Sequence, residues 1–153
     1  MIELRILKKT ADLNLDSILF KVFNKKSVQK FIESLNREQL AESVDARGIQ
    51  LSYIDRNGNE RTSYSPLTEK LSGGKKKVGQ PFNLKDTGEF YKSIKAFPEL
   101  KGIEITADAD KEDDNLFQKF GKDIVGLTYE NLQKLIEFIK PLFIEVVRKE
   151  LLS

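Results

Sequence analysis

The chain has 153 residues, 26 Lys and Arg against 24 Asp and Glu, and a formal net charge of +2. It has no Cys and no His, which removes disulfides, cysteine nucleophiles, imidazole bases and the usual zinc ligands together. A mean hydropathy of −0.42 is polar for a globular protein, yet ten Phe and many Ile and Leu leave enough apolar mass for one real core.

No apolar run approaches the roughly 20 residues that a bilayer span requires, so no membrane partner is expected. Met1-Ile2-Glu3-Leu4-Arg5 lacks a basic head, an apolar run and a small-residue cleavage site, so no signal peptide is expected either. The balanced charge argues against a dedicated nucleic-acid binder, whose affinity comes from neutralising phosphates. Synthesis in a reducing cytoplasm fits the missing cysteines.

Ile2, Leu4 and Ile6 alternate with polar residues, a short strand signal that a helical turn would also satisfy. Ile18, Leu19, Val22 and Phe23 then fall at helical spacing. Ser27 is a candidate cap for a second helix that puts Val28, Phe31, Ile32 and Leu35 on one face, runs through Leu40 and ends before Gly48. From Gly48 the period changes to two. Ile49, Leu51 and Tyr53 lead into the turn Asp55-Arg56-Asn57-Gly58-Asn59, and Thr62 and Tyr64 return on the partner strand.

Residues 66–81 read as a flexible loop around Ser72-Gly73-Gly74-Lys75-Lys76-Lys77. Asp86 then caps a short helix while Glu89 reaches back, as in a capping box. A second hairpin runs from Tyr91 to Phe97, turns around Pro98 to Gly102, and returns through Ile103 and Ile105. Asp113 or Asp114 starts a short helix through Phe117 and Phe120 that Gly121 ends. Thr128 caps the last helix, and Leu127 is placed to staple onto Leu132. Leu132, Leu135, Ile136, Ile139, Leu142, Phe143, Val146 and Val147 form its apolar stripe, with Pro141 inside it as a kink. The expected fold is a single α+β domain over 1–153: N-terminal helices, a small antiparallel sheet built from two hairpins, and a long C-terminal helix.

Three segments invite a chemical reading. Gly73-Gly74-Lys75-Lys76-Lys77 has the composition of a phosphate loop, but Val78-Gly79-Gln80-Pro81 follows in place of Ser or Thr and a helix. It reads either as a basic loop that touches an acidic surface or nucleic acid, or as a solvated loop. Asp108-Ala109-Asp110-Lys111-Glu112-Asp113-Asp114 alternates carboxylates but lacks the central glycine and the bidentate Glu of a calcium loop. Helix capping and solubility account for it. Asp86-Thr87-Gly88 beside Lys85 has the elements of a His-free hydrolase, and capping uses the same atoms. No cofactor or metal is expected.

The order of several short motifs carries a resemblance. Leu35-Asn36-Arg37-Glu38-Gln39-Leu40 precedes Val44-Asp45-Ala46-Arg47-Gly48; then come Tyr64-Ser65-Pro66-Leu67-Thr68-Glu69-Lys70, Gly79-Gln80-Pro81 and Leu84-Lys85-Asp86-Thr87-Gly88-Glu89-Phe90-Tyr91. Phe120-Gly121-Lys122-Asp123-Ile124-Val125-Gly126-Leu127-Thr128 closes the series. This series resembles the neck or tail-completion proteins of tailed bacteriophages, of the virion-morphogenesis and head-to-tail joining type, in versions found in phages and prophages of Bacteroides-like bacteria. The resemblance implies a non-enzymatic structural protein, homo-oligomeric as a ring in the virion. Its implied partners are portal, connector or tail proteins, with non-specific contact to packaged DNA. The implied location is the host cytoplasm during assembly and the virion afterwards. Asp45, Gly48, Asp86, Thr87, Gly88, Glu89, Gly121 and Thr128 are its structural positions, and Lys70, Lys75, Lys76 and Lys77 are the candidate interaction residues. The alternative is an interaction domain of a bacterium or prophage with an unrelated purpose.

Overall fold

The computed structural model describes Arg5, Lys8, Thr10 and residues 12–153; the alternating segment Ile2, Leu4 and Ile6 lies outside the described residues. The architecture is α+β, with helices at both ends and small antiparallel hairpins between them. Helix α1 (Leu15–Phe23) is capped by Asn14, whose side chain accepts from Ser17 N at 3.2 Å. It buries Ile18 and Val22. Only Asn24 and Lys25 separate it from α2 (Lys26–Ala41), and that short link moves the helix start upstream of the expected cap. Lys25, in an extended conformation, holds the cap position without a side-chain bond, and Ser27 falls inside the first turn. The apolar face of α2 buries Val28, Ile32 and Leu35 as its spacing predicts. Phe31 stacks on Phe138 of the last helix at 4.1 Å between ring centroids.

The hairpin after α2 is shorter than its alternation suggests. Strand β1 (Tyr53–Ile54) pairs with β2 (Glu60–Arg61) across the expected turn, which Asp55 closes by accepting from Asn57 N and Asn59 N. Gly58 takes the positive φ of 80° that this turn demands. Leu51 does not join the ladder: its N–H donates to Ser43 O and its side chain enters the core. Tyr64 also leaves the hairpin and exchanges backbone bonds with Gly79 and Gln80.

The segment read as a loop from residue 66 begins with a helix, α3 (Pro66–Leu71). Ser65 caps it through Thr68 N at 3.2 Å, and Pro66 sits where a missing N–H costs nothing. Helix α4 (Glu89–Ser93) starts later than a box built on Asp86 requires. Gly88 is its N-cap residue, with φ 90°, and a left-handed residue cannot lie within the first helical turn. Thr87 supplies the local oxygen instead, accepting from Glu89 N at 3.3 Å.

Strands β3 (Lys95–Glu99) and β4 (Gly102–Thr106) form the longest ladder, with five paired positions. Pro98 lies within it, opposite Ile103, rather than in the turn. Both strands of a two-stranded ribbon are edges, so its missing N–H can face away from the partner. Tyr91 to Ser93 belong to α4, not to this hairpin. The acidic segment forms a third hairpin, β5 (Asp110–Lys111) with β6 (Asp114–Asn115). Because Asp114 is paired to Lys111 there, the cap of α5 (Leu116–Phe120) passes to Asn115, which accepts from Gln118 N at 3.0 Å. Gly121, with φ 90°, ends that helix, and a 3-10 turn (Lys122–Ile124) follows. The three hairpins are separate two-stranded sheets and do not merge into one.

Helix α6 (Tyr129–Leu152) is capped by Thr128, which accepts from Asn131 N at 3.2 Å, and it continues through Pro141. Two buried clusters result. One gathers Ile18, Val22, Val28, Ile32, Leu35, Ala96, Leu135 and Val146 between α1, α2, β3 and α6. The other collects Leu40, Leu51, Tyr64, Phe82, Leu84, Phe90, Ile94 and Ile124 under the loops, and Ile105 packs against both. The stripe on α6 is wider than the surface that receives it. Ile139, Leu142, Phe143 and Val147 pack on the helical core, whereas Leu132 and Ile136 stay 43% and 44% exposed. Leu127 joins the core without burying Leu132. Leu135→Ala is therefore expected to lower unfolding free energy by about 2–5 kcal/mol, Thr128→Ala by about 1, and Leu132→Ala by under about 1. Urea denaturation of the three variants checks the order.

Candidate interaction surface

The motif segments meet at two interlocks. The first is centred on Asn83. Its side-chain oxygen accepts from Tyr64 OH at 3.1 Å and from Lys85 N at 3.0 Å, and its own N–H donates to Tyr64 Oη at 3.1 Å. Tyr91 OH donates to Asn83 O. Two tyrosines from different motifs thus fix one residue, and the turn at Leu84-Lys85-Asp86-Thr87-Gly88 hangs from it. Leu84 is buried with φ 56°, a conformation that strains a side-chain-bearing residue and persists only where the surroundings over-determine it. Phe82 supports the clamp from below, with Tyr64 at 5.0 Å, Phe120 at 5.3 Å and Tyr53 at 5.4 Å between centroids. Burial pushes the Tyr91 hydroxyl up to about 12, with the neighbouring Tyr64 adding to the shift. Burial also raises Tyr64, partly offset by hydrogen bonds from the Asn83 and Leu84 backbone.

The Gly79-Gln80-Pro81 motif docks beside this clamp. Gly79 N donates to Tyr64 O, Tyr64 N donates to Gln80 O, and Ser63 bridges to Pro81. The preceding lysines are not equivalent. Lys70, Lys75 and Lys77 are exposed, but the Lys76 side chain is only 18% exposed. Its ammonium lies 5.2 Å from the centre of the Tyr64 ring and 3.7 Å from an Asp86 carboxylate oxygen. Burial lowers its pKa, opposed by Asp86, with Lys111 and Lys119 adding smaller repulsions. Asp86 also faces Lys111 at 3.8 Å. A cleft of about 700 Å³ opens beyond it, lined by Thr87, Phe90, Ser93 and the carboxylates of the acidic hairpin. Asp86 and Thr87 thus hold ion pairs and a turn, and Lys85 is exposed to solvent. Among the described residues no acidic group of three or more could hold a metal ion, and no helix is long and apolar enough to cross a membrane.

The second interlock lies on α2. Asp45 is buried and accepts from Arg47 N and Ile49 N, while the Arg47 guanidinium reaches it at 2.6 Å and Asp123 at 3.2 Å. Gly48, with φ 78°, closes the turn by donating to Asp45 O. Ala46 N donates to Asp123 O at 2.8 Å, which presses this turn onto the late motif. At Gly126, with φ 127°, an added Cβ would fall 2.9 Å from Ala46 Cβ, so both backbone shape and space require glycine. Three amides complete the joint. Asn36 donates to Ile124 O and accepts from Gly126 N, and Gln39 donates to Gly126 O and accepts from Thr128 N at 2.9 Å. Asn131 donates to Gln39 Oε1 and to Leu35 O. Asn83, Asn36, Gln39 and Asn131 have no role in the sequence-based expectations. For the last three the available signal was an amide on the inward face of an otherwise apolar helix.

Outside the interlocks, α6 displays Tyr129, Leu132, Ile136, Ile144 and Leu152, and the basic segment displays Leu67, Leu71 and Val78 beside its lysines. Large apolar side chains grouped with charges in this way suit protein contact. No protein-family model matches the chain, and neither a curated protein nor a solved structure matches it.

Asn36→Ala would leave the Gly126 N–H and the Ile124 carbonyl unpaired, and each orphaned group costs about 1–3 kcal/mol. The expected outcome in urea denaturation is a loss well above that of Thr128→Ala. The tyrosine clamp makes a pH prediction. A hydroxyl whose folded pKa is raised gives stability that is complete below the unfolded value, near 10, and is lost as pH rises through the folded one. Stability should fall between about pH 10 and 12. Absorbance at 295 nm should show Tyr91 ionising late, and Tyr91→Phe should remove that component.

Proposed function

We propose that this chain is a structural protein of tailed-phage assembly, one that joins head and tail as a neck or tail-completion adaptor. The order of its motifs supports the reading. The observation that carries it is how those motifs are used. Asp45, Gly48, Tyr64, Gly79, Tyr91, Gly126 and Thr128 hold loops to one another and to α2, while apolar side chains and lysines face outward. That division suits a rigid building block whose work is contact with neighbours.

In this reading Lys70, Lys75 and Lys77 meet an acidic neighbour or packaged DNA, and exposed apolar side chains of α6 such as Leu132 and Ile136 meet a protein partner. The protein acts without a cofactor, in the host cytoplasm first and then in the virion as a ring. Size-exclusion chromatography with light scattering, on the chain alone and mixed with portal and tail proteins of the same genome, tests it. A mass corresponding to a mixed complex is expected. Unchanged masses with every such protein would overturn the proposal.

The double variant Lys75→Ser, Lys77→Ser separates contact from folding. Exposed charges contribute within about 0.5 kcal/mol, so its melting temperature should match that of the unaltered chain. Its association with the neck partner should weaken, and the difference should shrink as salt is raised.

A further inference from the structure

The basic segment from Ser72 to Gln80 is a strap with little reason to be ordered by itself. Gly73, Gly74 and Gly79 all take positive φ, and three consecutive lysines repel one another. Before Gly79, its backbone bonds are internal or run to neighbouring α3. Gly74 N donates to Glu69 O at 2.9 Å, Val78 N to a Glu69 carboxylate oxygen at 2.9 Å, Lys76 N to Ser72 Oγ at 3.0 Å and Lys77 N to Gln80 Oε1 at 3.2 Å. These bonds tie the strap to α3 and to its own end. Gly79 and Gln80 anchor that end to Tyr64. From the middle of the strap, the side chain that reaches the body is Lys76.

Its position is that of a seated cation. The ammonium lies over the Tyr64 face, whose hydroxyl is already fixed by Asn83, and beside Asp86, whose turn hangs from the same Asn83. Ring and carboxylate are therefore preset by the clamp. Lys75 and Lys77, one residue to either side, stay exposed. We propose that Lys76 is a latch: its ammonium, seated between the Tyr64 ring and the Asp86 carboxylate, pins the strap to the clamp while Lys75 and Lys77 remain free. Beyond the strap's hydrogen bonds to Glu69 and Tyr64, the order of its middle then depends on a single cation and not on core stability. The strap has a closed state held by Lys76 and an open state in which all three lysines are available.

Residue-resolved hydrogen exchange on the full chain tests the latch without any partner, so its outcome is independent of the assembly proposal. Lys76→Met keeps the apolar stem and removes the charge; Lys76→Ser removes both. Each should speed exchange at the Gly74, Lys77 and Val78 amides by about tenfold, the scale of one desolvated cation–ring contact. Asp86→Asn should speed the same amides by a smaller factor. Amides of α2 and of the β3–β4 ladder should keep their rates, and Lys75→Ser and Lys77→Ser should leave the strap unchanged. Unchanged strap exchange in both Lys76 variants would overturn the latch. So would an equal rise in the Lys75 and Lys77 variants, or a rise throughout the chain.

Discussion

Three buried amides hold α2 to the start of α6. Asn36 and Gln39 of α2 bond Ile124 O, both backbone groups of Gly126 and Thr128 N, and Asn131 of α6 ties Gln39 and Leu35 O to the last helix. An amide in a low-dielectric interior is costly unless its donors and acceptors are met, so such a network accepts one arrangement of its partners and rejects others. That arrangement decides where α6 begins. Thr128 presents its hydroxyl to Asn131 as a cap while its own N–H is held by Gln39. From that start the helical period places Leu135 and Val146 inward and leaves Leu132 and Ile136 exposed. The close fit of Ala46 against Gly126 then brings the Asp45 turn onto the same joint.

The Asn83 clamp does for the central loops what the amides do for α2 and α6. Helices α3 and α4 have six and five residues, too short to stand without tertiary support. The hydroxyls of Tyr64 and Tyr91 join the segments around them through one asparagine, and the aromatic cluster packs beneath them. Rigid turns of this kind let a small protein display loops in fixed positions. The basic strap and the acidic hairpin are the two loops so displayed, and Asp86 stands between them, facing Lys76 on one side and Lys111 on the other. The near-zero net charge of the chain therefore hides a separation of charge along its surface.

Much of this was legible in the sequence, and the exceptions have physical causes. Periodicity located α1, α2 and α6, because one helical face must be apolar when it packs. The turn at Asp55 to Asn59 and the cap at Thr128 followed from local side-chain chemistry, which distant contacts left undisturbed. Ser27, Asp86 and the pair Asp113 and Asp114 failed as caps for one reason. A cap depends on where the preceding element releases the chain: a two-residue link, a left-handed glycine and a strand pairing each moved that point. Helix α3 was hidden by the glycines and lysines that follow it, although Ser65-Pro66 is a sound start signal. Lys76 looked like its two neighbours, since a sequence does not say which of three adjacent lysines meets a tyrosine ring. The clamp and the amides join residues as far as 96 positions apart, and local pattern does not say which distant residues will pair.

Folding and display are thus carried by different residues. The interlocks fix the loops, and Lys75, Lys77 and the outward apolar side chains of α6 remain exposed. The assembly adaptor proposed above would belong to the finished particle and not only to the cell that makes it. Quantitative mass spectrometry of purified virions, produced by the host that carries the gene, tests that claim most directly. The account predicts this chain in the particles at a fixed, low ratio to the major capsid protein, retained through density-gradient purification. Its absence from intact, infectious virions would contradict the account.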